Sequence, residues 1–116
     1  MIVYTNIIKI LLIITGLLIN NIAFNQKVHR VNYASQADIK VFVVNYTSQA
    51  DLIVYKAKYT SQINKKGIWF FTPNIFQADY KIFFVDYASQ ADIKIYYTKY
   101  ISEVRWVNSS KSYLFK

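Results

Sequence analysis

The 116-residue sequence predicts an all-β chain of six strand-and-corner repeats wound about a common axis. Three observations carry that prediction. The apolar residues are mostly Ile, Val, Tyr and Phe, which suit a pleated surface. A hydrophobic content of 54% excludes disorder, and two glycines and one proline leave few chain breakers. Finally, Asn-Tyr-x-Ser-Gln-Ala-Asp occurs at 32–38 and again at 45–51, the mark of a short internal repeat.

The first 26 residues carry none of this repeat. Lys9 precedes the apolar run ILLIITGLLI, and small or polar residues come after it, which is the layout of a secretory signal peptide. Ten helical residues rise about 15 Å, half the hydrocarbon core of a bilayer, so a signal peptide is expected rather than a membrane anchor. Cleavage after Ala23 puts Asn21 at the −3 position; cleavage after Asn25 is a second option. The expected division is a signal peptide at 1–26 and a repeat domain at 27–116. The domain is then secreted, periplasmic or held at the cell envelope, and meets a membrane only through an uncleaved N-terminus.

The repeat is measured by Gln36, Gln49, Gln62, Gln77, Gln90 and Glu103, spaced 13, 13, 15, 13 and 13 residues apart. Six units result, at 28–40, 41–53, 54–67, 68–81, 82–94 and 95–107. Each opens with about eight β-branched and aromatic residues, such as 39–46, long enough for a strand of about 25 Å. Ile39, Val41 and Val43 share one face; Phe42, Val44 and Tyr46 share the other. Strands apolar on both faces are expected to be covered on both.

Each unit closes with a polar corner. The corner residues are Ser35, Gln36 and Asp38; Ser48, Gln49 and Asp51; Ser61 and Gln62; Gln77 and Asp79; and Ser89, Gln90 and Asp92. Ser and Asp bond nearby backbone amides, so they bend a chain and cap the strand after the bend. Such corners are too short for a helical crossover and lack the glycines of a tight hairpin. The chain therefore turns and travels on. If three units make one circuit, units three apart become neighbours: first with fourth, second with fifth, third with sixth.

The Tyr-x-Ser-Gln-Ala-Asp units, the interrupted middle at Ile68-Trp69-Phe70-Phe71 and the tail Trp106-Val107-Asn108…Lys111…Leu114 resemble the septoil-knot family. That resemblance implies a small domain of unknown function with a seven-crossing knot. Ile63-Asn64, Phe76 and Glu103-Val104-Arg105 depart from the pattern.

No catalytic signature is present. With no cysteine, disulfides, thiolate metal sites and cysteine catalysis are excluded. Two glycines cannot build a phosphate loop. His29 is the one histidine and reads as a surface or satisfied residue. The aspartates are spread one per corner, unlike the converging oxygens calcium needs. Neither cofactor nor metal is expected, and the protein is expected not to be an enzyme; the weakest alternative is a hydrolase using Asp86, Glu103 or His29.

Tyr33, Tyr46, Tyr59, Tyr87 and Tyr100 share one repeat position. They are read first as core residues with the hydroxyl tied to a corner. Exposed, they would instead be a binding surface. The corner glutamines read as a polar network between corners, and Trp69 and Trp106 as core. A net charge of +8 suits single lysines scattered on strands. The expected role is an exported structural or interaction domain, compatible with a homodimer. The alternative is a module whose Tyr and Lys residues bind an anionic envelope glycan; no nucleic acid is expected.

Overall fold

In the computed structural model of the protein, residues 26–115 are described. The expected signal peptide lies outside them but for Gln26. Seven strands form: β1 (Lys27–Arg30), β2 (Ile39–Val43), β3 (Leu52–Lys56), β4 (Ile68–Phe71), β5 (Tyr80–Phe84), β6 (Ile93–Tyr97) and β7 (Arg105–Trp106). Between them stand six one-turn 3-10 corners: Ala34–Gln36, Thr47–Gln49, Thr60–Gln62, Ile75–Gln77, Ala88–Gln90 and Ile101–Glu103. A 3-10 tail, Ser109–Leu114, ends the chain.

The strands run β4-β1-β5-β2-β6-β3, and a β3–β4 pairing closes the ring into a six-stranded parallel barrel. β1 to β3 make a first lap, and β4 to β6 a second that fills the gaps. Units three apart do pair, as in Lys27 with Phe70, Ile39 with Ile82 and Leu52 with Ile95. Units four apart pair as well, as in Val28 with Tyr80 and Val41 with Ile93. The 13-residue rhythm therefore places each strand between two of the other lap.

The strands are shorter than expected, four or five residues in the barrel. The reason is visible at β6. Val44 N–H donates to the Ile95 carbonyl at 2.8 Å, on one side of β6. Asp51 N–H donates to the Lys94 carbonyl at 2.7 Å, on its other side. The segment between vaults over β6, so it cannot also extend β2. The first corner vaults β5 in the same way, through Val31 to Ile82 and Asp38 to Lys81. The fourth vaults β1 and the fifth β2. The sixth passes β3, with Thr98 bonded to Val54 on one side and β7 antiparallel on the other. These corners pass outside because the barrel is full.

Inside it, Val28, Ile39, Val41, Leu52, Val54, Trp69, Ile82, Ile93 and Ile95 are all at most 2% exposed. Each buried aliphatic side chain stabilises the fold by about 1.5–3 kcal/mol. The opposite strand faces are covered unevenly: Ile53 and Ile68 are buried beneath the chain, while Lys40 is exposed, so cover on both sides is partial. The C-terminus plugs the barrel. Phe115 is buried against Tyr80, Trp69 and Trp106, with ring centroids 5.3, 5.8 and 6.0 Å away. Trp69 Nε1 donates to the Lys66 carbonyl at 3.0 Å, which satisfies the one polar atom of that buried ring.

Candidate binding surfaces

The corner aspartates reach across laps. Asp38 N–H donates to the Lys81 carbonyl, and Asp38 Oδ2 accepts from Lys81 N–H at 2.8 Å. The same reciprocal clamp joins Asp51 with Lys94, Asp79 with Lys27 and Asp92 with Lys40. The caps foreseen for the next strand in sequence thus serve a distant one. The first amide of a parallel strand start lacks a ladder partner, and a carboxylate supplies one. Asp51 is further held by Asn108, whose Nδ2 donates to Oδ1 at 3.3 Å.

The glutamines form no network between corners where their bonds are defined. Gln62 Oε1 accepts from Lys58 and Tyr59 N–H, and Gln77 Oε1 accepts from Thr72 Oγ1, each within its own corner. The aspartates already occupy the inter-lap positions. Gln36, Gln49 and Gln90 are exposed, as are Ser35, Ser48, Ser61 and Ser89.

The reading of the repeated tyrosines as core is overturned. Tyr33, Tyr46, Tyr59, Tyr87 and Tyr100 are 65–67% exposed. Each stands three residues beyond the end of its strand, so the alternation that buries Val31 and Val44 has lapsed there. The backbone then turns outward into the corner. The fourth corner has Asn74 where the others have tyrosine; its Oδ1 accepts from Phe76 N–H at 3.0 Å. Phe76 occupies the serine position and is 95% exposed. Each of the six corners therefore presents one exposed aromatic ring. The signal for Phe76 was in the sequence, as a departure from the repeat.

Around the barrel the fourth, first, fifth, second and sixth corners come in that order, because they vault β1, β5, β2, β6 and β3. The aromatic residues form a girdle. Between the first and fifth corners, a cleft of about 270 Å³ is lined by Ala34, Lys40, Phe83, Val85 and Gln90.

At the barrel mouth formed by the strand ends, Arg30 lies 5.1 Å from the Phe84 ring centre. Lys56 lies 4.2 Å from that of Tyr97 and 5.7 Å from that of Phe71. Burial pushes the Tyr97 phenol up to about 12, against a smaller opposing pull from Arg30. The other end of the barrel is different. There Leu52, Val104 and Trp106 floor a cavity of about 310 Å³, with Lys65, Lys66 and Arg105 at its rim.

The residues of the hydrolase alternative are not brought together by any contact. His29 Nδ1 donates to the Thr72 carbonyl at 2.9 Å. Glu103 Oε2 accepts from Thr98 Oγ1 at 2.6 Å, and Asp86 is exposed. Among the described residues, no three His, Cys, Asp or Glu side chains cluster to hold a metal ion.

A closed barrel of two interleaved laps, fastened by aspartate clamps, defines a wound β-repeat domain. The family model of the 7(1) septoil knot domain matches residues 25–107, and the chain belongs to that family. Comparison with curated proteins and with solved structures gives no match.

Proposed function

We propose that the protein is an exported, non-catalytic interaction domain, a rigid barrel that grips its partner with the aromatic girdle. The observation that carries this is the exposed aromatic ring at every one of six corners. Tyrosine offers a large contact area with little side-chain freedom to lose, which is why it dominates recognition surfaces. Repetition around a closed barrel makes the contact multivalent, so weak single contacts add to useful avidity.

A second reading is that the partner is an anionic envelope glycan. The cleft between the first and fifth corners favours it, since it combines Lys40 with Gln90 and the Phe83 ring. Aromatic faces stack on sugar rings, and lysines meet acidic substituents. The export reading draws on the N-terminal apolar run; because Gln26 O accepts from Phe70 N–H, cleavage at or before Asn25 leaves the barrel whole. The vaulting corners also support reading the backbone as a deep knot.

The test is affinity electrophoresis of the purified full chain through acidic and neutral polysaccharide gels at low salt. Retardation by the acidic polymer, lost in a Tyr33→Ala/Tyr87→Ala variant, supports the glycan reading. Free migration removes it. The broader reading fails if replacing all five tyrosines by serine leaves envelope association of the folded protein unchanged.

A further inference from the structure

The repeat fills itself wherever a corner ends in Ala-Asp, because the aspartate clamps the neighbouring strand start. Two corners do not end so. The third has Ile63-Asn64 and then the inserted Lys65-Lys66-Gly67, and the sixth has Val104-Arg105. The topology brings these two exceptions together. β3 pairs with β4 only at Tyr55 and Lys56, so the edge of its start is left to β7, through Leu52 with Trp106 and Ile53 with Arg105. The 310 Å³ cavity opens at this junction.

Its chemistry is two-sided. The floor is apolar, formed by Leu52, Val104 and Trp106, while the rim holds the cations Lys65, Lys66 and Arg105. Among the described residues, none of these three pairs with a carboxylate. Arg105 makes one 3.4 Å bond, to the Glu103 carbonyl, which leaves most of its donors available. The loop bearing the lysines is held in place. Ile68 N–H donates to the Lys65 carbonyl at 3.1 Å, and Trp69 Nε1 donates to that of Lys66. The site is thus largely pre-formed, and its volume falls at the lower end of small-molecule pockets, about 300–1,000 Å³.

We infer that this cavity, with room for about ten water-sized groups at about 30 Å³ each, binds a small monocarboxylate with an apolar body of about ten heavy atoms. The apolar body covers Trp106, Val104 and Leu52, and the carboxylate meets Arg105, whose planar fork suits that group, with the lysines adding charge. The inference does not rest on the girdle, whose rings are not among the residues that line the cavity.

Decanoate is the probe, with decanol and acetate as controls, in equilibrium dialysis against the full chain. The expected result is saturable one-to-one binding of decanoate, at least tenfold tighter than decanol, with acetate unbound. A Lys65→Gln/Lys66→Gln/Arg105→Gln variant should weaken decanoate at least tenfold, and a Trp106→Phe variant should lose any ligand-dependent change in tryptophan emission. Absence of saturable binding overturns the proposal. So does decanol matching decanoate, a comparison that needs no variant to fold. Undiminished decanoate binding by the triple variant, with its circular dichroism unchanged, likewise overturns it.

Discussion

Asp38 and Lys81 exchange two hydrogen bonds across laps, amide to carbonyl at 2.7 Å and amide to carboxylate at 2.8 Å. They are 43 residues apart in sequence, and the pair is copied at three further places around the barrel. Hydrogen bonds to charged groups contribute about 1.5–3 kcal/mol each. Asp92→Ala should therefore lower unfolding free energy toward the low end of that range, about 1.5 kcal/mol, because water reaches the exposed Lys40 amide once the carboxylate is gone. Asp92→Asn retains an acceptor oxygen and should cost less. Urea denaturation of both variants checks the order, and equal losses would mean that the carboxylate charge matters little.

Phe115 is the plug of the barrel. Its ring is buried among Trp69, Tyr80 and Trp106. Phe115→Ala should destabilise the fold by about 3–5 kcal/mol, the cost of a buried aromatic truncation. Thermal unfolding followed by near-ultraviolet circular dichroism reads this directly. A loss below about 1 kcal/mol would show that the aromatic cluster closes over the gap.

Gly67 is required by closeness rather than by backbone torsion. A Cβ placed there would stand 2.7 Å from the Ile53 carbonyl and nearer still to Val104 Cγ1. Gly67→Ala must push apart the junction where β4 begins. Overpacking of this kind costs about 1–3 kcal/mol. Denaturant midpoints of Gly67→Ala and of Gly67→Ala/Val104→Ala test the cause: the second substitution removes the obstructing methyl and should recover part of the loss.

Much of this architecture was legible from spacing. The distance from Gln36 to Gln49 and onward set the unit, the lack of glycine in the corners argued against hairpins, and the resulting two laps gave the pairing of units three apart but not that of units four apart or the β3–β4 closure. What could not be read was direction out of the barrel. Tyr46 belongs by alternation with Val44 and Phe42, yet it lies past the end of β2, where that alternation no longer applies. Nor could spacing show that Asp38 serves Lys81 rather than its own corner, since a carboxylate caps either amide equally well. The cavity was half legible: Asn64 and Arg105 were visible as exceptions to Ala-Asp, but only the pairing of β7 with β3 brings them to one place.

Tyr97 gives a dependence on pH with a definite sign. Its phenol is raised from 10.0 to about 12, chiefly by burial. Below pH 10 it is neutral folded or unfolded and adds no slope. From pH 10 to about 12 the unfolded chain loses this proton first, so stability falls as pH rises. At about 1.4 kcal/mol per pKa unit, the loss is on the order of 2 kcal/mol. The Tyr97→Phe variant should lose that part of the alkaline decline. Unfolding free energies of both proteins at pH 9.5 and 11.5 test it, and parallel declines would rule Tyr97 out as the cause.

The interleaving of laps should dominate folding kinetics. Inter-lap clamps join residues 43 or 52 positions apart, and among barrel strands only the β3–β4 closure is closer in sequence. Few local contacts are available to offset the loss of chain entropy, so refolding should be slow for a domain of this size, at the ms–s end of the range or beyond. On the knotted reading proposed above, the second lap is also threaded beneath the corners of the first while its own corners pass outside β1, β2 and β3. Reversing that passage is equally obstructed, so unfolding should be slow even where equilibrium stability is modest. Stopped-flow and manual-mixing dilution from guanidinium measure both limbs. The decisive comparison is a circular permutant opened between β3 and β4, within residues 58–66, with Lys27 and Phe115 joined by a flexible linker. If separate laps no longer have to be threaded from one continuous middle, the permutant should change folding and unfolding rates together while leaving equilibrium stability nearly the same. Rates unaltered by the permutation would mean that interlacing is not the barrier.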